Sequence, residues 1–250
     1  LFLGTVRTAN TEAALIAAIA ASITGDVVSV TADIVLTSTL VINKSIKIDG
    51  VTAGINLWSA GAGTDPVTLI SVTANNVLLG SNLIISHKKT TNTSVECCVN
   101  VNATGFISKA TVKFMEFGYI LRGSFSIQGD MEYTGAAGNN HRYLGIYSVS
   151  APSEVSGVTW NSPYEATPRS SFIYVSVTGG TDKMNSVLKV YNCKQYDMSY
   201  ACRQFFLQDS FNSDNAGNGN GLIFESNSFN DLNGGIGLLG ALDAAVLDFY

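Results

Sequence analysis

Residues 224–239 read FESNSFNDLNGGIGLL, and they carry the clearest structural signal in the chain. A short alternating apolar segment leads into a turn of Asn, Ser and Asp residues. A Gly-Gly break and a second apolar segment follow. This order of residue types is typical of a strand, a turn and a second strand. The stretch therefore predicts a β-rich repeat unit.

Weaker copies of this unit occur upstream in the sequence. Their apolar entries lie at Val158, Val175, Val190 and Phe206, which gives steps of about 15 to 18 residues up to Phe224. A period this short, built from strands rather than helices, predicts β-coils stacked on one another.

A single helix is predicted near the start of the chain, within residues 10–24. Asn10 is the expected N-cap, and Glu12 lies in the first turn, where a negative charge favours the helix dipole. The expected apolar stripe consists of Leu15, Ile16, Ile19 and Ile23.

After this helix the apolar residues recur with a period of two, which indicates short strands. The first predicted strands cover residues 27–30, 34–36, 40–42 and 46–48. Further along, residues 67–72, 77–79 and 83–85 are predicted to form the three faces of one coil.

An Ala-rich amphipathic helix followed by GDVVSVTADIVLTSTLVINKSIKIDG resembles the opening of right-handed parallel β-helix proteins of the pectin-lyase-like superfamily. The match covers residues 10–50, and the coil pattern returns over residues 185–240. The resemblance implies an all-β fold, a single-stranded right-handed parallel β-helix whose N-terminal amphipathic α-helix caps the first coil. A cap also suits the physics, because an uncovered strand edge invites pairing with other chains.

The resulting expectation is a single domain over residues 1–250, of about ten coils and about 50 Å in length. Its predicted parts are the capping helix over 10–24, coils over 25–240 and an apolar C-terminal segment over 241–250. Loop insertions are predicted near 129–142, 160–169 and 213–221. Long loops on one face of a solenoid are where recognition is expected.

The composition excludes some classes of function. Charged residues make up 13% of the chain, and the net charge is −5. This lacks the basic footprint of a nucleic-acid-binding protein. No apolar run is long enough for a membrane span. The start of the chain also lacks the pattern of a signal peptide, which predicts a processed chain or a fragment.

The four cysteines are Cys97, Cys98, Cys193 and Cys202, and the histidines are His87 and His141. Their spacing does not fit a structural zinc site. The cysteines are predicted to be small buried residues, with at most one of Cys97 and Cys98 pointing inward. A Cys193–Cys202 bridge is the alternative in an oxidising compartment.

The best candidate for catalysis is Asp130 with Glu132, followed by Arg142. Side chains two residues apart on a strand point to the same face, so the two carboxylates are expected to lie close together. Close carboxylates can divide acid and base roles, or they can hold calcium. The competing interpretation is an exposed acidic turn. No other cofactor or metal is expected.

Aromatic residues are the second candidate feature. Flat rings bury the C–H faces of sugars while polar neighbours satisfy the hydroxyls. The predicted carbohydrate-binding residues are Tyr133, Trp160 and Tyr164, with core packing as the competing role. For Tyr174 packing is preferred.

These observations predict a non-enzymatic structural or attachment protein, extracellular or on a virion surface, that recognises surface glycans. The resemblance to viral fibres and spikes implies self-association as a homotrimer, or contact with other virion or surface proteins. The motifs of the pectinases are absent from the sequence. The alternative is a polysaccharide lyase or glycoside hydrolase that uses Asp130, Glu132 and Arg142.

Overall fold

The computed structural model describes most of the chain. The described residues are 2–61, 65–88, 97–135, 142–161, 171–176, 185–196, 203–208, 221–227, 236–239 and 246–249.

The described residues of the first half of the chain form the helix and twelve strands. They are β1 Val6–Ala9, α1 Glu12–Ala21, β2 Val27–Val30, β3 Ile34–Val35, β4 Leu40–Ile42, β5 Lys47–Gly50, β6 Ile55–Trp58, β7 Thr68–Val72, β8 Leu78–Leu79, β9 Leu83–Ser86, β10 Cys97–Ser108, β11 Thr111–Phe114 and β12 Phe117–Ile127. The four strands predicted after the helix are found as β2 to β5, shifted by at most two residues.

The second half contains eleven described strands. They are β13 Met131–Tyr133, β14 Arg142–Ile146, β15 Ser153–Ser156, β16 Thr159–Asn161, β17 Ser171–Ser176, β18 Val187–Tyr191, β19 Lys194–Tyr196, β20 Arg203–Gln208, β21 Gly221–Glu225, β22 Ile236–Leu239 and β23 Val246–Phe249.

The described strands form three parallel stacks. The first stack contains β1, β2, β5, β8, the C-terminal part of β10, the C-terminal part of β12, β15, β18, β21 and β23. The second stack is a separate seven-stranded sheet, β3-β6-β9-β11-β13-β16-β19. The third stack contains β4, β7, the N-terminal parts of β10 and β12, and then β14, β17, β20 and β22. The long strands β10 and β12 join the first and third stacks into one sheet.

From β2 to β21 the chain visits the three stacks in a fixed order, and most strands pair with the strand formed when the chain next returns to the same stack. Val27 pairs with Lys47, whereas Glu154 pairs with Lys189, so the circuits differ greatly in length. The predicted period of 15 to 18 residues is therefore wrong as a coil length. It measures the step from a strand in one stack to a strand in another. The prediction that residues 67–72, 77–79 and 83–85 lie on three faces is confirmed by β7, β8 and β9.

Residues in the left-handed backbone conformation turn the chain at two of the corners between stacks. Asn76, Gly105 and Gly123 lie between the third and first stacks, with φ of 56°, 69° and 107°. Asn192 lies between β18 of the first stack and β19 of the second, with φ of 53°, and Ser226 directly follows β21 of the first stack, with φ of 55°. Asn227, one of the residues of the turn predicted within 224–239, follows Ser226 and accepts a hydrogen bond from the Cys193 backbone N–H at 2.9 Å. Asn tolerates this conformation better than most residues do.

One cluster of buried apolar residues extends from Ala9 to Cys193 between the stacks. Its members come from alternate positions of the strands, as in β2, where Val28 and Val30 are buried and Ser29 is not. This alternation is the period of two that the sequence showed.

Helix α1 packs against β1, β2 and β4 through Leu15, Ala18 and Ile19. The predicted apolar stripe is only half correct, since Ile16 is 45% exposed and Ile23 is 69% exposed. The predicted N-cap is also wrong. Thr11 is the cap, and its hydroxyl accepts a hydrogen bond from the Ala14 N–H at 3.2 Å.

Two carboxylates fix the helix to the first strands. Glu12 accepts four hydrogen bonds, from the backbone N–H and the hydroxyl of both Thr37 and Ser38. Asp26 accepts from the Ile23 and Thr5 N–H groups and lies 3.3 Å from Arg7. Both carboxylates therefore join segments that are distant in sequence.

The predicted loop insertions are partly strands. Residues 131–133 form β13, and 159–161 form β16. The insertions predicted near 129–142 and 160–169 therefore include residues that belong to strands. Gly221 likewise begins β21. The remaining parts of these insertions, 136–141, 162–170 and 213–220, lie outside the described residues, as does most of 241–250.

Three of the four cysteines are described, and all three are buried free thiols. Cys97 and Cys98 are both buried, and only Cys98 belongs to the main core cluster, which agrees with the expectation that at most one of them points inward. Burial raises the pKa of Cys97 to about 12 and that of Cys193 to about 11. Cys193 is not in a disulfide, so the bridge considered with Cys202 is not formed in this structure.

Helix α1 is too short to cross a bilayer, and no other helix among the described residues is long and apolar enough to do so.

Candidate glycan-binding site

Asp130 and Glu132 flank the buried Met131 at the start of β13, on the outer side of the second stack. Each carboxylate has its own neighbour. Asp130 Oδ1 accepts a hydrogen bond from the Thr159 N–H at 2.9 Å. Glu132 forms an ion pair with Lys113 at 2.8 Å, and both side chains of this pair are more than a third exposed. The first contact joins the residue before β13 to the start of β16, and the second joins two residues that pair in register between β11 and β13.

Arg142 is the third residue of the predicted catalytic set, and it lies in a different sheet. It begins β14 in the third stack, where it pairs in register with Phe117 and Ser171. Its guanidinium carbon is 4.1 Å from the centre of the Tyr174 ring and 5.2 Å from that of Phe117. The structure therefore surrounds Arg142 with aromatic rings, and its described contacts do not include Asp130 or Glu132.

The aromatic residues predicted to bind carbohydrate occupy the interior instead of the surface. Trp160 is 1% exposed, and Tyr133 is fully buried. The Trp160 ring is stacked on Phe172, with ring centres 3.8 Å apart and an angle of 5° between the planes. Neither ring offers a face to a sugar, so both predictions are corrected to core packing. Tyr164 lies outside the described residues.

These rings belong to one aromatic layer of the core. Phe114 contacts both Tyr133 and Tyr143 edge-on, with ring centres 5.9 Å and 4.7 Å apart. Tyr143 contacts Phe172 in the same way at 5.9 Å, and its hydroxyl donates to the Asn161 carbonyl oxygen. Because the Tyr143 hydroxyl has a hydrogen-bond partner within the protein, the ring can be buried in this layer without leaving a polar group unpaired.

Other aromatic side chains do reach the outer side of the third stack. There Phe117, Arg122, Arg142, Tyr147 and Tyr174 form a group that we call the arginine–tyrosine cluster. Arg122 lies 4.6 Å above the Tyr147 ring, and Tyr147 contacts Tyr174 edge-on with ring centres 6.4 Å apart. With Arg142 above Tyr174, the cluster holds two cations on adjacent phenol rings.

The strand register explains why these residues meet. Leu121 pairs with Ile146, so the outward residues that follow them, Arg122 and Tyr147, lie in neighbouring layers. Tyr174 lies one layer further along, paired with Gly145. Gly145 lies between Ile120 and Tyr174 in register, and a side chain there would press against Phe117 and Tyr147. Because Gly145 has no side chain, the rings of Phe117 and Tyr147 can lie against β14 at this position.

The cluster places two arginines side by side on a chain of net negative charge. Among the described residues no carboxylate forms an ion pair with Arg142, and its Nε atom is buried without a hydrogen-bond partner. Burial raises the pKa of the Tyr147 phenol, Tyr174 adds to this rise, and Arg142 and Arg122 oppose it. The Tyr147 hydroxyl is therefore neutral near pH 7 and can donate a hydrogen bond.

The arrangement suits an acidic ligand. A guanidinium presents a planar set of N–H donors that matches a carboxylate, and stacking on a ring leaves the edge of that set free. Within the described part of the chain, no three or more His, Cys, Asp or Glu side chains come together as a metal site would require.

One feature of the sequence points to this cluster, namely the concentration of tyrosines in the middle third of the chain. The aromatic residues predicted to bind carbohydrate are not those of the cluster, because the sequence pattern does not distinguish rings that face the core from rings that face outward. Tyr174 was expected to pack, and it is indeed 8% exposed, but it packs beneath a cation.

Comparison of the sequence with models of known protein families and with curated protein sequences gives no significant match. The functional proposal therefore depends on the arrangement of these side chains.

Proposed function

We propose that the three parallel stacks form a right-handed parallel β-helix of the pectin-lyase-like kind, with α1 as its N-terminal cap. The fixed order in which the chain visits the stacks supports this proposal. Crossover connections between parallel strands are almost always right-handed, which supports the handedness. Leu15 and Ile19 of α1 pack into the core next to β1, the first strand of its stack, as a cap would.

On this scaffold we propose a non-enzymatic attachment or structural protein, extracellular or on a virion surface, that recognises an acidic glycan. The observation that carries the proposal is the arginine–tyrosine cluster, above all Arg142, which lies over two rings with no described carboxylate as its partner. A sugar carboxylate would supply the missing acceptor, and the Tyr147 hydroxyl would donate to a neighbouring oxygen.

The enzymatic alternative has less support. A glycosidase needs two carboxylates placed on either side of the scissile bond. Asp130 caps the Thr159 backbone, Glu132 is paired with Lys113, and Arg142 lies in the other sheet. These contacts favour structural roles for the two acidic residues.

Binding to an array of acidic and neutral glycans, followed by titration of the best acidic glycan, tests the proposal. Arg142→Ala should weaken binding about tenfold to a hundredfold, because hydrogen bonds to a charged group are lost. Arg142→Lys should fall between this variant and the wild type, since it keeps the charge without the planar donors. Lys113→Ala removes a cation from the second stack and serves as the matched control.

Unchanged binding by Arg142→Ala, or no acidic glycan bound by the wild type, would refute the assignment of this site. The chain length of the bound glycan should also be the same before and after incubation. Shortened chains would instead support the lyase or hydrolase alternative.

A further inference from the structure

A second surface feature lies at the corner between the third and first stacks. One cleft of about 580 Å³ and another of about 370 Å³ share Asn76, Gly105 and Ile107 in their walls. They therefore form one continuous depression, which we call the corner groove. It occurs where the left-handed residues Asn76 and Gly105 turn the chain, and Gly105 adds no side chain to fill it.

The corner groove runs across the strands along the stacking direction. Its floor follows one register row, in which each residue pairs with the next: Leu78, Ile107, Ser126, Glu154, Lys189 and Ile223. Six layers at about 4.8 Å per step give a length of about 24 Å. A straight groove of this length fits an extended polymer better than a compact small molecule.

Polar side chains in the groove are held in place by one network. Glu154 accepts hydrogen bonds from the Ser126 hydroxyl at 2.7 Å and the Tyr191 hydroxyl at 2.9 Å. Lys189 is paired with Glu225 at 2.6 Å and lies 4.7 Å above the Tyr191 ring. These groups are pre-organised, so a ligand would lose little energy in ordering them.

The strand backbone offers nothing further to a ligand in this groove. Each interior strand of the first stack pairs with a strand on either side, so its N–H and C=O groups are used along the stacking direction. An extended peptide could not add itself as a strand here, and its own amides would go without partners. Recognition must come from side chains.

The side chains suit sugars without charge. Leu78, Ile107 and Ile223 provide apolar contacts for C–H faces, and the oxygen atoms of Ser126 and Glu154 can accept hydrogen bonds from hydroxyls. Among the described residues that line the groove, Lys189 is the only cation, and it is already paired with Glu225. The Glu154 carboxylate would repel an acidic chain.

We propose that the corner groove binds an uncharged linear polysaccharide, independently of the acidic ligand of the arginine–tyrosine cluster. The groove and the cluster lie in different stacks and share no residue. The protein would then hold two glycans of different charge.

Affinity electrophoresis and titration calorimetry test this with defined probes. The neutral probes are soluble linear β-glucan, mannan and xylan, and the acidic probes are alginate and polygalacturonate. At least one neutral probe should retard the wild-type protein. Glu154→Gln keeps the shape but removes the charge, and it should weaken that binding about tenfold.

Ile107→Trp should abolish neutral binding, because the indole fills the floor of the groove. Ile84→Trp is the matched control, since Ile84 is a half-buried outward residue of the second stack. Circular dichroism and the Tm identify any variant that fails to fold, and Glu154→Gln keeps the test valid if Ile107→Trp is one of them.

The two sites give separable results. Arg142→Ala should leave the neutral probe bound, and Glu154→Gln should leave any acidic probe bound. The proposal is overturned if no neutral probe binds, or if both groove variants bind it like the wild type. It is also overturned if the groove variants lose an acidic polysaccharide or an extended peptide instead.

Discussion

At the scale of single residues, Trp160 is the largest fully buried side chain among the described residues, and it lies flat on Phe172. Trp160→Ala removes this contact and leaves a cavity, so we expect it to lower the free energy of unfolding by about 3–5 kcal/mol. Denaturation in urea, followed by circular dichroism, measures the change.

Trp58 provides the control for this prediction. It is an outward residue of β6 with Lys88 5.3 Å above its ring. Trp58→Ala should cost less than about 1 kcal/mol. Equal effects of the two substitutions would show that Trp160 is not a core residue, and its predicted role in carbohydrate binding would need to be considered again.

Two glycines separate the effect of close approach from that of backbone conformation. Gly123 and Gly157 both have positive φ, 107° and 65°. A Cβ at Gly123 would overlap the carbonyl oxygen of Ala103, whereas a Cβ at Gly157 would meet no atom within 4 Å. We expect Gly157→Ala to cost about 1 kcal/mol and Gly123→Ala at least about 3 kcal/mol.

Thermal unfolding of both variants, recorded under the same conditions, gives the comparison. A smaller loss for Gly123→Ala than for Gly157→Ala would contradict the close packing of β10 against β12 at this corner.

At the scale of elements, α1 is attached to the first strands by carboxylates as well as by its apolar face. Partial burial acts to raise the pKa of Glu12, but the hydrogen bonds from Thr37 and Ser38 outweigh it, so the pKa lies below its usual value of 4.5. Hydrogen bonds from the Ile23 and Thr5 N–H groups, helped by Arg7, lower the pKa of Asp26 below 3.8.

A carboxyl group with a lowered pKa stabilises the fold above its ordinary pKa, and this contribution disappears as the pH falls through the lowered value. Acid should therefore loosen α1 before the later strands, beginning as the pH falls below 4.5. Hydrogen exchange, resolved by residue at pH 7 and at pH 3, should show the earliest loss of protection over residues 5–26.

Glu12→Gln should lower stability at pH 7 by about 1 kcal/mol and reduce the acid effect, since one titrating group is removed. Glu132→Gln is the matched control, because that carboxylate makes only an exposed ion pair with Lys113. If the two variants are equally stable, the attachment of α1 through Glu12 contributes nothing.

At the scale of the whole molecule, ten strand layers follow one another in the first stack. Nine steps of about 4.8 Å give a stack of about 43 Å, close to the 50 Å expected from ten coils. If the stacks wind as a β-helix, small-angle X-ray scattering should show an elongated particle with a long axis of at least this length. A globular scattering profile for the monomer would contradict the proposed solenoid.

The homotrimer remains a prediction at this scale. Light scattering coupled to size exclusion should give a mass three times that of the 26.4 kDa chain. A monomer at micromolar concentration would remove the trimer from the proposal and leave both glycan sites in place.

Part of the fold could be predicted because its signals are local. The period of two in residues 27–48 marks strands whose alternate residues are buried, and a strand of that kind needs no distant information. The cap was misplaced by one residue, from Thr11 to Asn10, because both residue types serve as N-caps and only the backbone geometry separates them. The predicted repeat length is wrong because paired strands are separated by unequal numbers of residues, so their pairing does not produce a constant period in the sequence.

The candidate sites were less predictable than the fold. Asp130 and Glu132 flank the buried Met131, and their partners, Thr159 and Lys113, come from other strands. The arginine–tyrosine cluster is assembled from β12, β14, β17 and the residue after β14, and no short motif joins these positions.

The sequence by itself determined the kinds of element in this protein, namely one short helix and many short strands, because hydrophobic period and turn residues act over a few residues. Only the tertiary structure decided which strands pair, which aromatic rings face inward and which rings the arginine side chains lie against. These depend on register between residues about 19 to 35 positions apart, and shifting a strand by one residue moves every side chain to its other face.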